Sequence, residues 1–181
     1  MTDAQIKTFL DGFTITKDGD AKRKTLAHYV NIGTEAAPEW ELLGYKVEDS
    51  SIEYNWEIET VTDIRGVTSS DVQKSEPSQS MDGSVMNKNS EFLQELNRIA
   101  IRGAYEELTL FEMMTVYGFM RNEADACLAV REKNCTITPD SIGGSGTVGF
   151  PYTINYSNDK TYGTVPEITA NPTFTEGTAG A

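Results

Sequence analysis

Apolar and polar residues alternate most regularly over residues 51–61. Ile52, Tyr54, Trp56, Ile58 and Thr60 fall on one side; Glu53, Asn55, Glu57 and Glu59 fall on the other. A period of two is that of a β-strand, whose successive side chains point to opposite faces. The pattern predicts one strand with an apolar, core-facing side and a row of carboxylates behind it. Like charges two residues apart lie roughly 7 Å from one another. Their repulsion costs folding energy unless solvent screens it. On charge alone the row is a solvated acidic face; we read it further as a surface with a use, the wall of a channel for nucleic acid.

The same periodicity places the other elements. Residues 25–32 alternate, with Leu26, His28, Val30 and Ile32 on one side. Residues 39–47 carry Trp40, Leu42, Leu43, Tyr45 and Val47, and with the acidic strand they read as a long hairpin over 39–63. Asp63-Ile64-Arg65-Gly66 is a turn, and 67–74 returns as a strand too polar for a central position. Residues 75–89 have no period; Pro77, Gly83 and the Ser/Asn density mark a long loop. Such a loop is expected to be mobile in the free chain and ordered on assembly. Residues 90–102 form the one clear helix, with Ser90 as N-cap, a Phe92, Leu93, Leu96, Ile99 and Ala100 stripe, and Gly103 as a left-handed cap. Residues 109–120 are apolar on both faces, as in a central strand. Residues 126–138 alternate again, 142–148 are a glycine-rich connection, and 150–157 and 162–168 are strands. Tyr152, Ile154 and Tyr156 share a face.

Three stretches follow: a polar N-terminal arm over 1–24, a β domain over 25–168, and a small, polar, mobile tail over 169–181. The fold class is mainly β, an antiparallel β-sandwich or split barrel with one flanking helix and a long hairpin.

Composition narrows the function. The chain has 181 residues and a formal net charge of -13, which argues against holding a nucleic-acid backbone by attraction. Between Glu39 and Asp63 stand Glu39, Glu41, Glu48, Asp49, Glu53, Glu57, Glu59 and Asp63 against one base, Lys46. That stretch holds more than half of the net charge. No apolar run is long enough for a membrane helix, and residues 1–10 lack the apolar core of a secretory signal, so synthesis in the cytoplasm is expected. Cys127 and Cys135, on one strand and one face, would stand roughly 26 Å apart, too far for a disulfide, and read as reduced structural thiols.

Candidate chemistry is thin. Gly144-Ser145-Gly146-Thr147-Val148-Gly149 has the glycine spacing of a dinucleotide loop but no helix after it. His28 is the single histidine and is expected to be a packed edge residue. Glu53, Glu57 and Glu59 on one strand lack the cross-cleft geometry of a glycosidase pair. Asp18-Gly19-Asp20 lacks the remaining ligands of a calcium loop. No catalytic residue, cofactor site or metal site is expected.

The segments WELLGYKV (40–47), SIEYNWEIETVTDIRG (51–66) and Glu76-Pro77-Ser78-Gln79-Ser80-Met81-Asp82, in that order, resemble the major tail tube proteins of tailed bacteriophages, closest to those of siphophages and prophages of Gram-positive hosts. Gly83 stands where the resemblance implies a Pro. The helix with Arg98-Ile99-Ala100, the strand LTLFEMMTVYGF and the late segment IGGSGTVGFPYTINYSNDKTYGTV fit the same pattern, over about residues 25–168. The resemblance implies six-fold rings stacked into a tube, with hairpins of all subunits joined into one barrel around a lumen. Closure of that kind satisfies strand edges. It implies a structural virion protein, assembled in the host cytoplasm, whose partners are other copies of itself, the tape-measure protein and genomic DNA in the lumen, and the tail terminator and baseplate or distal tail proteins, with no membrane. Glu53, Asn55, Glu57 and Glu59 would face the lumen, and the 76–82 segment would be an inter-subunit loop. Tubes of phage-derived contractile bacteriocins or injection particles are the alternative; a carbohydrate-binding β-sandwich is the alternative of another class. That last reading needs exposed aromatics, whereas Tyr54 and Trp56 are expected in the core.

Overall fold

The computed structural model describes residues 1–15 and 20–178. Its spine is an antiparallel pair, β8 (Phe111–Arg121) and β9 (Cys127–Pro139). The turn between them is shaped by Asn122, whose side-chain oxygen accepts the amides of Ala124 and Ala126 at 3.1 and 2.9 Å. β8 is apolar on both faces, and residues 112–116 are buried on both, as the sequence predicts for a central strand. Beyond β8 lie β2 (Leu26–Asn31) and then β3 (Trp40–Leu42); β1 (Thr14–Ile15) joins the far end of β8.

The other edge of β9 serves two partners in turn. Its first half pairs with β11 (Asp159–Val165), which carries β12 (Thr175–Glu176). Its second half pairs with β10 (Tyr152–Asn155), followed by β7 (Ser78–Ser80) and β4 (Ile52–Glu53). The exchange falls at Asn134, which has φ 55°, a backbone state asparagine tolerates better than other side chains. The outcome is an antiparallel sheet curled into a half-barrel, the mainly β class expected.

Asn134 also breaks the alternation along β9. Cys127 packs with Tyr29, Trp40, Met114, Val116, Ala129 and Val165; Cys135 packs in the other cluster, with Val30, Met113, Ile137, Tyr152 and Ile154. Neighbours Tyr29 and Val30 point to opposite faces of β2, so the two thiols lie on opposite sides of the sheet rather than on one face. Both are free and buried, as expected.

Helix α2 (Glu91–Arg102) covers the Cys135 side. Its N-cap Ser90 accepts the Leu93 amide at 3.1 Å, and Gly103 closes it at φ 67°. Phe92, Leu93, Leu96 and Ile99 are buried; Ala100, assigned to the stripe from spacing, is exposed. Glu41 of β3 reaches across and accepts from the Ser90 hydroxyl and the Phe92 amide, placing a carboxylate at the positive end of the helix.

The two termini depart from expectation. The N-terminal arm contains a second helix, α1 (Asp3–Asp11), started by a capping box between Thr2 and Gln5. Phe9 and Phe13 pack edge to face at 5.2 Å. The tail is docked as far as it is described. The Tyr29 hydroxyl donates to the Thr169 carbonyl at 2.8 Å, and Asn171 accepts the Trp40 amide at 2.9 Å. The Arg131 guanidinium lies over the rings of Trp40 and Phe174, while an ion pair to Glu112 holds it in place. A small, polar composition concealed these few anchoring residues. The last residues, 179–181, lie outside the described part, as do Asp18 and Gly19 of the calcium-loop pattern.

Candidate assembly surface

Residues 56–75 leave the body as a two-stranded ribbon, β5 (Trp56–Thr62) with β6 (Thr68–Ser75). Among the described residues neither outer edge of this ribbon has a strand partner. The 39–63 hairpin is therefore replaced by another pairing: β3 joins β2, and β5 joins β6. The polar partner strand over 67–74 is found as expected, and it is exposed along almost its whole length.

The turn at the tip is built by Asp63. Its carboxylate accepts the amides of Arg65 at 2.8 Å and Val67 at 2.9 Å, and Gly66 takes φ 78°. The Val67 amide above all, with help from Arg65, holds the Asp63 carboxyl below its ordinary range. Ile64 stands fully exposed at the end.

The two faces of the ribbon differ in chemistry. One carries Trp56, Ile58, Thr60 and Thr62 with Val72, Ser70 and Thr68 opposite them. Trp56, Ile58 and Val72 are 59%, 60% and 59% exposed. The expectation that the apolar side faces the core is thus corrected, because the ribbon stands clear of the core and both faces are open. Tyr54 is exposed as well and stacks on Trp56 at 6.0 Å. The other face carries Glu57 and Glu59, joined by Asp71 and Lys74 of β6. Lys74 lies 3.9 Å from Glu57 and 2.5 Å from Glu76, and Gln73 donates to Glu59 at 3.0 Å. Gln73 is the extra residue of a bulge beside Glu57 and Ile58.

The predicted acidic row does not run unbroken. Glu53 is exposed on β4, paired with Ser78 in the main sheet. Asn55 takes φ 47° and ends that strand. Its amide donates to the Glu76 carbonyl at 3.0 Å and the Ser78 hydroxyl at 2.9 Å, so it belongs to the root of the ribbon and not to a carboxylate face. Only Glu57 and Glu59 of the proposed row share the ribbon face. Asp71 completes it, and no periodicity in 67–74 pointed to it.

The 76–82 segment is not a free loop. Ser78–Ser80 is β7, between β4 and β10, and the Met81 amide donates to the Tyr152 carbonyl at 2.9 Å. Pro77, Gln79 and Met81 are buried within the subunit; Glu76 and Asp82 are exposed and Ser78 and Ser80 half-buried. Gln79 accepts the Tyr156 hydroxyl at 2.6 Å. Strand pairing of three residues is too short to show as a period in the sequence.

Outside the ribbon, His28 is buried on β2 with Nδ1 3.4 Å from the Thr115 hydroxyl. Burial, and then the charge of Arg23, lower its pKa to about 4. β2 lies between β3 and β8, so His28 is interior rather than at an edge. The glycine-rich stretch is a strand connection closed by the Gly143–Gly149 bridge, with β10 after it and no helix. Among the described residues no group of His, Cys, Asp and Glu is placed to hold a metal ion, and no helix is long and apolar enough to cross a membrane.

No model of a known protein family matches the chain, and no curated protein does. The chain is similar in structure to the tube-terminating cap of an anti-feeding prophage, with 11% identity, a TM-score of 0.46, and coverage of 83% of this chain and 95% of that one. It is also similar to a chain of the PVC sheath–tube complex, an extracellular contractile injection system in its extended state. There the identity is 12%, the TM-score 0.47, and the coverage 91% of this chain and 99% of the other.

Proposed function

We propose that the protein is a structural subunit of the tail-tube type, which assembles with copies of itself into the tube of a phage tail or of a phage-derived contractile injection particle. One observation supports this above the rest: among the described residues the β5–β6 ribbon has two unpaired edges, one exposed apolar face and one exposed acidic face. An isolated two-stranded ribbon is marginal in water. Open edges and an apolar face of this size are normally covered. Joining ribbons edge to edge around a ring covers the edges. Turning the acidic face inward leaves Glu57, Glu59 and Asp71 in a water-filled lumen, where phosphates are repelled instead of bound. The ring of six, the tape-measure protein, DNA, terminator and baseplate partners, and the place in a virion belong to this reading, as does a purely structural, non-enzymatic role. Electron microscopy and sedimentation of the purified protein at rising concentration test it. Rings or tubes are expected; a monomer at every concentration overturns it. Copurification with a sheath protein distinguishes an injection particle from a non-contractile tail.

The exposed Tyr54–Trp56 pair supports a second reading, a carbohydrate-binding module, since stacked exposed aromatics suit a sugar ring. Titration of tryptophan fluorescence with oligosaccharides separates the two: saturable quenching favours the module, and no change removes it.

A further inference from the structure

We propose that Asn55 and Asn158 are positioning residues, a two-sided clamp that fixes the angle at which the ribbon leaves the body. The purpose of that angle rests on the proposed role in assembly; the clamp itself rests on geometry alone.

The ribbon and the body sheet are two parts of one long hairpin. β4 pairs with β7 through Glu53 and Ser78, and β5 pairs with β6 from Trp56 and Ser75 onward. Between these registers the ladder is interrupted by two residues on each side, Tyr54-Asn55 and Glu76-Pro77. Both interruptions have local causes. Asn55 is in the left-handed region, which ends a strand, and Pro77 has no amide to give to a ladder. A broken ladder would leave a hinge. Side chains replace the missing backbone bonds. The Asn55 amide crosses the gap to the Glu76 carbonyl and the Ser78 hydroxyl, and the Ser75 hydroxyl donates to the Tyr54 carbonyl. On the other strand, Asn158 donates through Nδ2 to the Ser75 carbonyl at 2.8 Å. Asn158 is itself at φ 65°, in the turn between β10 and β11, and its amide donates to the buried Glu132 carboxylate at 3.2 Å. The ribbon is thus tied on one side to β7 and on the other to a turn seated on the core. The Pro77 carbonyl, accepting the Tyr156 amide at 2.9 Å, anchors the same root. Beyond these ties, and a side-chain contact of Tyr54 with Tyr117 of β8, no other strand pairs with the ribbon among the described residues, so the bonds at the root decide its direction.

The test is a pair of spin labels at Ile64→Cys, on the tip, and Ile101→Cys, at the end of α2; both sites are exposed, while Cys127 and Cys135 are buried from the label. Asn55→Gly keeps the positive φ and removes the amide; Asn158→Gly does the same on the other side. In the protein with both asparagines the tip-to-helix distance distribution is expected to be narrow, and in the double variant about twice as wide, with a thermal midpoint lowered by only a few degrees. Asn55→Asp, of the same shape but without the donor, is expected to broaden it as well. An unchanged width in the double variant, or in Asn55→Asp, overturns the clamp. If the double variant fails to fold, Asn158→Gly alone is measured and a distribution unchanged in width again overturns it. Tubes from the labelled protein are expected to be lost or irregular in the double variant. A parent protein that never forms tubes refutes the assembly reading while leaving the width result to decide the clamp.

Discussion

Glu59 stands directly across the β5–β6 ladder from Asp71, two carboxylates facing one another on the same side of an exposed ribbon. Like charges at such a site weaken strand pairing. Gln73 eases the strain by donating to Glu59, but no cation of the ribbon lies between the pair. Asp71→Asn is therefore expected to tighten the free ribbon, with amide exchange in β5 and β6 slowed about two- to fivefold. Faster or equal exchange would mean that the pair is already relieved by water.

Reversing the acidic face separates packing from electrostatics. In Glu57→Lys with Glu59→Lys the apolar face is untouched, so tubes are expected to form. Phosphates should then adhere to the wall in a salt-dependent way, lowering DNA passage or raising DNA retention by about tenfold at low salt. Microscopy alongside a DNA-retention assay reads both. Normal tubes with unchanged retention remove the electrostatic role, and missing tubes move the acidic face into a subunit contact.

The apolar face gives the reverse result. Ile58→Ser and Val72→Ser lie on exposed positions, so the free subunit should keep its stability to within about 0.5 kcal/mol. Assembly should weaken strongly. Urea unfolding together with sedimentation checks both halves, and full assembly by the double variant would show that this face stays wet.

Leu96 is fully buried between α2 and the sheet. Leu96→Ala is expected to cost about 2–5 kcal/mol in urea unfolding. A loss under about 0.5 kcal/mol would mean that the helix does not close the core.

His28 makes stability depend on pH. Its folded pKa, about 4, lies below the ordinary 6.5 because burial penalises the charged ring. The unfolded chain binds the proton first as pH falls. Its contribution is complete above pH 6.5 and is lost progressively toward pH 4, amounting to about 2 kcal/mol by pH 5. Unfolding midpoints at pH 7 and pH 5, compared with those of His28→Leu, read this difference; equal pH slopes in the two proteins would contradict it.

Residues whose neighbours in sequence also decide their surroundings were legible. The double-sided apolar run of β8, the caps of α2 with its Phe92, Leu93, Leu96 and Ile99 stripe, and the Tyr152, Ile154 and Tyr156 face all emerge from period and spacing, whereas the left-handed Asn134 put the two thiols on opposite sides of a strand whose period had placed them on one. The ribbon shows where that logic stops. Alternation placed Trp56 and Ile58 opposite Glu57 and Glu59, which the structure keeps, but period two says nothing of which side is covered. It also runs unchanged through Asn55, because a left-handed residue leaves no mark in a hydrophobic pattern. The helix α1 was signalled by the Thr2–Gln5 box and the Ile6, Phe9 and Leu10 spacing, and was masked by the surrounding polar residues. The docking of 169–178 depends on single long-range partners such as Arg131 with Phe174, which no local window contains.

The equal two-residue gaps at the root carry a rule for how such a chain can change length. Adding or removing residues in matched pairs at the tip, around Ile64 and Arg65, lengthens or shortens the ribbon and leaves every side chain on its own face. One residue inserted beside Asn55 or Pro77 shifts one strand by half a period and exchanges acid for apolar along everything beyond it. Natural variation and engineered insertions should therefore gather at the tip, while the few residues of the root keep their number.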